Sequence, residues 1–179
     1  MSHASVSVAD LTHSIRNVPD FPKPGIQFKD ITPLLADPRL LSGAIDLMTE
    51  GFKPGDVDAV VGIDARGFIF AAAAALKLKA GFIPVRKKGK LPYLTHEETY
   101  DLEYGSSTVA IHIDAVKPGA RILLLDDLLA TGGTMQACCK LVQGMRAQIV
   151  GITVLIELDA LKGRETVREF GVVHSVLRY

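Results

Sequence analysis

Cysteine is scarce: the 179-residue chain has two, Cys138 and Cys139, and they are neighbours. Adjacent cysteines do not make an ordinary unstrained bridge and lack metal-ligand spacing, so neither a disulfide framework nor a thiolate zinc site is expected. Free thiols in a helix of core character point to a reducing compartment, and the cytoplasm is the expected location. Net charge is zero, with 20 Lys and Arg against 20 Asp and Glu. A neutral chain has no long-range field to draw nucleic acid or an anionic membrane, whereas a phosphorylated small molecule needs only local charge. Long apolar runs are missing as well. The apolar stretch at residues 71–75 is short and is followed by Lys77 and Lys79, while a membrane helix needs about 20 apolar residues. The N-terminus lacks a basic start followed by a long apolar run, so no signal peptide is expected. The chain contains no Gly-x-x-x-x-Gly-Lys-Ser/Thr and no Gly-x-Gly-x-x-Gly, which removes the P-loop and dinucleotide signatures. His96-Glu97-Glu98-Thr99-Tyr100 starts like a zinc-protease motif but has no second histidine, and His112 and His174 stand singly in strand-like surroundings and read as structural.

What is present suits one domain with a small appendage. Apolar residues make up 48% of the chain, enough for a core at this length. Periodicity predicts helices over 8–16, 38–51 and 68–78. A further helix presents Met135, Cys138, Leu141, Val142 and Met145 on one face. Extended segments are expected at 26–31, 59–63, 82–85, 108–113, 122–125, 149–156 and 172–177, the one at 108–113 with an exposed alternating pattern. Pro19, Pro22, Pro24 and Gly25 interrupt the N-terminal region. Residues 86–94 read as a basic loop and 98–105 as a polar one. Repeated strand–helix–strand units imply an α/β fold with a mainly parallel central sheet flanked by helices.

The most informative stretch is Ile122-Leu123-Leu124-Leu125-Asp126-Asp127-Leu128-Leu129-Ala130-Thr131-Gly132-Gly133-Thr134. An apolar run of this kind is a buried parallel strand, and ligands of open α/β sheets bind beyond the carboxyl ends of such strands. Paired carboxylates there accept hydrogen bonds from vicinal ribose hydroxyls. Gly132 and Gly133 let backbone N–H groups close around a phosphate, Thr131 and Thr134 add hydroxyl donors, and the following helix aims its positive end at the anion. The plainer alternative for Asp-Asp alone is a solvated turn. A second acid-ended strand leads through Gly62-Ile63-Asp64-Ala65-Arg66-Gly67-Phe68. Arg66 suits a diphosphate with its planar fork, the alternative being Asp64 as a helix cap and Arg66 as a surface charge. The cluster Arg86-Lys87-Lys88-Gly89-Lys90-Leu91-Pro92 reads either as a solvated loop or as a basic wall for a pyrophosphate.

The thirteen-residue pattern resembles the phosphoribosyl-pyrophosphate signature of type I phosphoribosyltransferases, and its variant resembles that of the adenine phosphoribosyltransferases. Four further tracts extend the resemblance over roughly residues 18–179: the stretch from Pro22 to Asp30, residues 85–92, the stretch from Tyr100 to Gly105, and a C-terminal tract with Glu157-Leu158 and Leu161-Lys162-Gly163-Arg164-Glu165. The resemblance implies a type I phosphoribosyltransferase core over residues 36–179 with an N-terminal arm and base-binding hood over 1–35. It implies transfer of a phosphoribosyl group from phosphoribosyl pyrophosphate to adenine, giving AMP and pyrophosphate, with Mg2+ held mainly by substrate oxygens and water. Asp126, Asp127, Arg66 and Glu103 are then the catalytic candidates. Arg66, Arg86, Lys87, Lys90, Ala130, Thr131, Gly132, Gly133 and Thr134 hold the sugar phosphate and pyrophosphate. Ile26, Gln27, Phe28, Lys29, Leu128 and Leu158 surround the base, Phe28 being otherwise a core aromatic, and Lys29 stands where these sequences usually carry Arg. The tract from Tyr100 to Gly105, with Glu103 and Tyr104, belongs to a mobile flap over the active site, a cis peptide is expected at Asp64–Ala65, and Arg86 is expected to reach a neighbouring active site across a homodimer interface. Neither nucleic acid nor membrane is an expected partner. A ligand-sensing regulator of the same fold is the other class, but the chain has no room for a DNA-binding domain. A phosphoribosyltransferase for another base is the nearer alternative.

Overall fold

The computed structural model describes residues 5–101 and 105–179. Its contacts divide the chain after Leu47 into two compact units. In the first, helix α1 (Val8–Ser14) starts from a reciprocal cap. The Ser7 hydroxyl accepts the Asp10 N–H at 3.2 Å and the Asp10 carboxylate accepts the Ser7 N–H at 2.9 Å, an arrangement worth about 1 kcal/mol. Strands β1 (Arg16–Pro19) and β2 (Gln27–Asp30) form an antiparallel hairpin that pairs Val18 with Phe28. Helix α2 (Thr32–Ala36) and helix α3 (Pro38–Met48) follow. Each takes an aspartate near its start: Asp30 accepts the Thr32 N–H at 2.9 Å, and Asp37 accepts the Arg39 and Leu40 N–H groups at 2.8 and 3.1 Å. Neither β1 nor α2 was expected from periodicity, because four or five residues do not complete a pattern.

The second unit is built on β3 (Ala59–Ile63), β4 (Gly81–Lys87), β5 (Thr95–Asp101), β6 (Ser106–His112), β7 (Arg121–Leu129), β8 (Gln148–Glu157) and β9 (Val173–Arg178), with helices α4 (Gly67–Leu78), α5 (Gly133–Gly144) and α6 (Gly163–Val167). The strands form one sheet in the order β5-β6-β4-β3-β7-β8-β9. The five from β4 to β9 in that order run parallel, and β6 and β5 extend one edge antiparallel. The mainly parallel sheet flanked by helices is the one the alternating pattern implied. Every residue of β3 is buried. Gly62 makes close helix packing possible there, since a Cβ on it would lie 2.6 Å from the Ala71 Cβ of α4. The expected apolar face of α5 is buried, Cys138 included, and Cys139 beside it is buried too. Both thiols are free, and burial pushes Cys139 up to about 12 and Cys138 well above its ordinary value.

Three segments differ from expectation. The basic stretch at 86–94 is not all loop: Arg86 and Lys87 end β4 and pair with Ala110 and Val109 of β6. The polar stretch begins as β5, paired with β6 over seven residues. The centre of β6 is buried on both faces rather than on one: the alternating Val109 and Ile111 join the core cluster that holds the α5 side chains, and Ala110 between them is buried as well. No helix among the described residues is long and apolar enough to cross a membrane.

Candidate active site

A cleft of about 380 Å³ opens at the carboxyl ends of β3 and β7. Two tracts line it, residues 63–66 after β3 and residues 126–135 from β7 into α5, with Lys87 from the end of β4 and Tyr100 from β5. The sequence-predicted Arg66, Lys87, Asp126, Asp127, Leu128 and the whole loop Ala130 to Thr134 therefore meet in one place.

The two carboxylates sit differently from a pair at a strand end. β7 runs on through them to Leu129, because β8 keeps pairing with it at Asp126↔Val154, Leu128↔Ile156 and Leu129↔Glu157. Asp126 lies against the first residue of α4, where a Cβ on Gly67 would be 2.5 Å from its Oδ1. That same oxygen accepts the Asp127 N–H at 2.9 Å. Asp127 is buried and takes Arg66 Nε at 2.8 Å. Burial, and then the charge of Asp127, push the Asp126 carboxyl well above its ordinary 3.8. Burial raises Asp127 as well, with the Arg66 guanidinium opposing.

The turn between β3 and α4 carries a cis peptide at Asp64–Ala65, as the resemblance led us to expect. Asp64 caps no helix: its carboxylate accepts Arg86 Nε at 3.0 Å, and Arg86 also donates to the Lys90 carbonyl at 3.0 Å. Arg86 and Lys90 are thus joined to the rim of this turn but do not line the cleft.

The loop 130–134 leads from β7 into the start of α5. Gly132, at φ +88° and ψ −8°, is the residue before α5, and its carbonyl accepts the Gln136 N–H at 2.8 Å. The N–H groups of the first α5 turn have no partner within the helix and face its start, where an anion is favoured. Tyr100 covers Gly133, and its hydroxyl oxygen accepts the Thr134 hydroxyl at 3.0 Å. The resemblance placed Tyr100 at the start of the flap tract, but its bond to Thr134, 34 residues away, was not legible in the sequence. Thr166 was overlooked for the same reason, although its hydroxyl donates to the Thr131 carbonyl at 2.9 Å.

The remaining candidates are elsewhere. Ile26 to Lys29 lie in the first unit at hairpin strand β2, where Phe28 meets Phe21 edge-on at 5.2 Å and Lys29 Nζ donates to Asn17 at 2.7 Å. Leu158 is half-buried just after β8, and its N–H donates to the Leu129 carbonyl at 2.9 Å. Glu103 and Tyr104 lie outside the described residues. Among the described residues no three His, Cys, Asp or Glu side chains converge on a cation site. The cleft lining holds three hard carboxylates, of which Asp127 is engaged by Arg66 and Asp64 by Arg86. That donor set suits a Mg2+ whose other ligands are substrate oxygens and waters.

Comparison with known proteins shows the family. The family model for the phosphoribosyl transferase domain matches residues 30–174. The adenine phosphoribosyltransferase of Rhodopirellula baltica is 51% identical over 170 residues, 95% of this chain and 82% of that one. The crystal structure of adenine phosphoribosyltransferase from Rhodothermus marinus matches with a TM-score of 0.91 at 51% identity, covering 96% of this chain and 98% of that one. The Saccharomyces cerevisiae enzyme, complexed with an imino-altritol bisphosphate and adenine, matches with a TM-score of 0.90 at 36% identity, covering 95% and 98%. With its acid pair, its glycine-bearing anion loop and Arg66 meeting at the ends of parallel strands, this chain belongs to the phosphoribosyl transferase family.

Proposed function

We propose that the chain is an adenine phosphoribosyltransferase of purine salvage, converting adenine and phosphoribosyl pyrophosphate to AMP and pyrophosphate in the cytoplasm. The observation that carries the reading is the meeting of Asp126, Asp127 and Arg66 with the loop 130–134 in one cleft. The loop takes the 5′-phosphate, and this remote grip sets the sugar in place. Asp126 and Asp127 accept the ribose hydroxyls and leave negative charge beside the anomeric carbon as it becomes cationic. The bond from that carbon to the pyrophosphate oxygen breaks, Arg66 and Lys87 hold the departing diphosphate, and the purine N9 forms the new bond from the opposite face. Phosphoribosyltransferases generally use magnesium with this substrate, and such an ion, held mainly by substrate oxygens and water beside Asp126 and Asp127, would supply further charge neutralisation. Glu103 is the candidate for the proton on the imidazole side of the purine. With the flap tract closed over the site, water would be kept from the cationic centre.

Base choice rests on the tract Ile26 to Lys29, with Leu128 and Leu158 as apolar neighbours of the ring. A backbone carbonyl accepts the adenine amine, whereas an oxo group at that position meets it lone pair to lone pair. A mispaired buried polar group costs about 1–3 kcal/mol, so adenine is expected to be preferred over hypoxanthine by about fivefold to a hundredfold per group. Radiolabelled adenine, guanine, hypoxanthine and orotate, each incubated with phosphoribosyl pyrophosphate and magnesium, test both reaction and base. Comparable turnover with hypoxanthine refutes the adenine assignment, and no nucleotide from any base refutes the reaction.

A homodimer supports the same chemistry. Helix α4 leaves Ile69 and Leu76 exposed seven residues apart on one side, and Phe82 of β4 is exposed nearby against Phe68. Apolar surface of this kind suits a symmetric contact. Arg86, beside it at the end of β4, would exchange its bond to Asp64 for a pyrophosphate in the partner's site. A dimer at micromolar concentration in light scattering is the expected result. Mixing Arg86→Ala chains with Asp127→Asn chains should restore part of the activity, because one hybrid site is then intact. A monomeric active enzyme, or verified heterodimers without rescue, removes the shared site.

A further inference from the structure

The short helix α6 carries part of the sequence resemblance but has no role in the reaction as described. Its five residues are too few to hold themselves in helical form, yet they are fixed from two sides. Arg164 donates to both carboxylate oxygens of Glu157, at 3.0 and 2.5 Å, to the Val173 carbonyl at 2.6 Å and to the Ser175 hydroxyl at 2.9 Å. Ser175 in turn donates to Glu157 at 2.5 Å. These bonds tie α6 to the end of β8 and to β9. On its other side α6 meets the anion loop: Thr166 donates to the Thr131 carbonyl at 2.9 Å, and Gly132 lies so close that a Cβ on it would come within 2.7 Å of the Gly163 carbonyl oxygen.

The bond from Thr166 selects one orientation of a peptide. Gly132, at φ +88° and ψ −8°, has the conformation of the third residue of a type II turn. A type I turn differs by a flip of the preceding peptide, and glycine tolerates both forms. The peptide between Thr131 and Gly132 is trans, so its N–H points opposite to its C=O. With the carbonyl held back toward α6, the Gly132 N–H is turned away from α6. Thr131 and Gly132 line the cleft, whereas Thr166 does not.

We propose that Thr166 is a positioning residue for the 5′-phosphate of the sugar substrate, acting through the Thr131 carbonyl to keep the Gly132 N–H aimed at the anion. The proposal rests on the phosphoribosyl-transfer reading above. It separates the two anionic ends of the substrate, because the pyrophosphate end is assigned to Arg66 and Lys87, which Thr166 does not touch.

The test compares Thr166→Val, Thr166→Ala and Thr166→Ser with the native protein by calorimetric binding of ribose 5-phosphate and of magnesium pyrophosphate, and by steady-state kinetics. Valine keeps the shape and removes the hydroxyl; serine keeps the hydroxyl. In Thr166→Val and Thr166→Ala, ribose 5-phosphate affinity should fall, and the KM for phosphoribosyl pyrophosphate should rise, by about threefold to tenfold, the worth of one hydrogen bond. Pyrophosphate affinity and the KM for adenine should not move, and Thr166→Ser should behave as native. A valine variant that binds ribose 5-phosphate as the native protein does overturns the proposal. So does one that loses both ligands equally along with a lower Tm, which marks a merely structural role. A native protein that binds neither ligand and forms no nucleotide overturns the phosphoribosyl reading itself, and the proposal with it.

Discussion

Asp127→Ala is expected to lower kcat by about a hundredfold to a thousandfold, the loss typical of one electrostatic contact made chiefly in the transition state. The KM for adenine should change little, because neither carboxylate is assigned to the base. Asp126→Ala should fall in the same range. A double Asn variant with near-native turnover would sink the mechanism. The physical ground is the state of the two side chains. Burial and mutual repulsion raise Asp126 well above 3.8, and burial raises Asp127 despite Arg66. Charge held there against its own preference is charge the cationic ribosyl centre can relieve. The sign of the linkage follows. A carboxyl whose folded pKa exceeds its unfolded value costs stability progressively as pH rises from the unfolded value through the folded one. At neutral pH, Asp126→Asn should therefore raise Tm while it lowers kcat, and the gain should vanish at a pH below 3.8, where both forms are neutral. For kcat/KM with phosphoribosyl pyrophosphate, the acid limb should lie above the ordinary carboxylate range, since protonation there removes the negative charge.

The parts of this site that are contiguous in sequence were legible before any coordinates. Ile122 to Leu125 is apolar enough to be a buried strand, and Ala130 to Thr134 is small and polar enough to be an anion loop, so chemistry and position coincide in thirteen residues. The extent of β7 was not legible, because two aspartates look like a strand end. Pairing from β8, which a single segment does not contain, carries the strand on to Leu129. Strand β5 was hidden for a related reason. Thr95-His96-Glu97-Glu98-Thr99-Tyr100-Asp101 has almost no apolar side to bury, and its contacts are polar: Thr99 with Thr108 at 2.9 Å, Glu97 with Lys88 at 2.7 Å and Glu98 with Lys140 at 3.2 Å. Local hydrophobic pattern is silent on strands of this kind. The clamp of Glu157, Arg164 and Ser175 was equally invisible. Its members are separated by 7, 11 and 18 residues, and an Arg in a charged tract looks like any solvated Arg. Burial changes its meaning: the carboxyl of Glu157 is pushed up by desolvation, but bonds from Arg164 and Ser175 and the nearby Arg164 and Arg178 charges outweigh that and leave it below its ordinary value.

Gly163→Ala is expected to lower kcat/KM for phosphoribosyl pyrophosphate by about a hundredfold, although Gly163 touches no substrate. A Cβ there would stand 2.2 Å from the Ala130 carbonyl oxygen and 3.1 Å from both the Ala130 carbonyl carbon and the Gly132 nitrogen. All three are backbone atoms of the anion loop, so no side chain can swing aside. Ordinary contact begins near 3.4 Å, and the loop must retreat by roughly 1 Å, a displacement that can cost about a hundredfold in rate when it misplaces the reacting sugar. Backbone conformation is not the obstacle, because Gly163 does not have the positive φ that Gly132 has. The effect is steric, and overpacking of this kind should also lower stability by about 1–3 kcal/mol. Gly144 at the end of α5 provides the control: a Cβ there meets nothing within 4 Å, so Gly144→Ala should leave kinetics unchanged and Tm equal or slightly higher. If Gly163→Ala kept native kinetics with phosphoribosyl pyrophosphate, the loop would have room to yield without moving the phosphate, and α6 would not be its rigid backing. If it lost rate with adenine KM and magnesium pyrophosphate affinity intact, the damage would be confined to the 5′-phosphate end, where the loop and α6 press backbone against backbone.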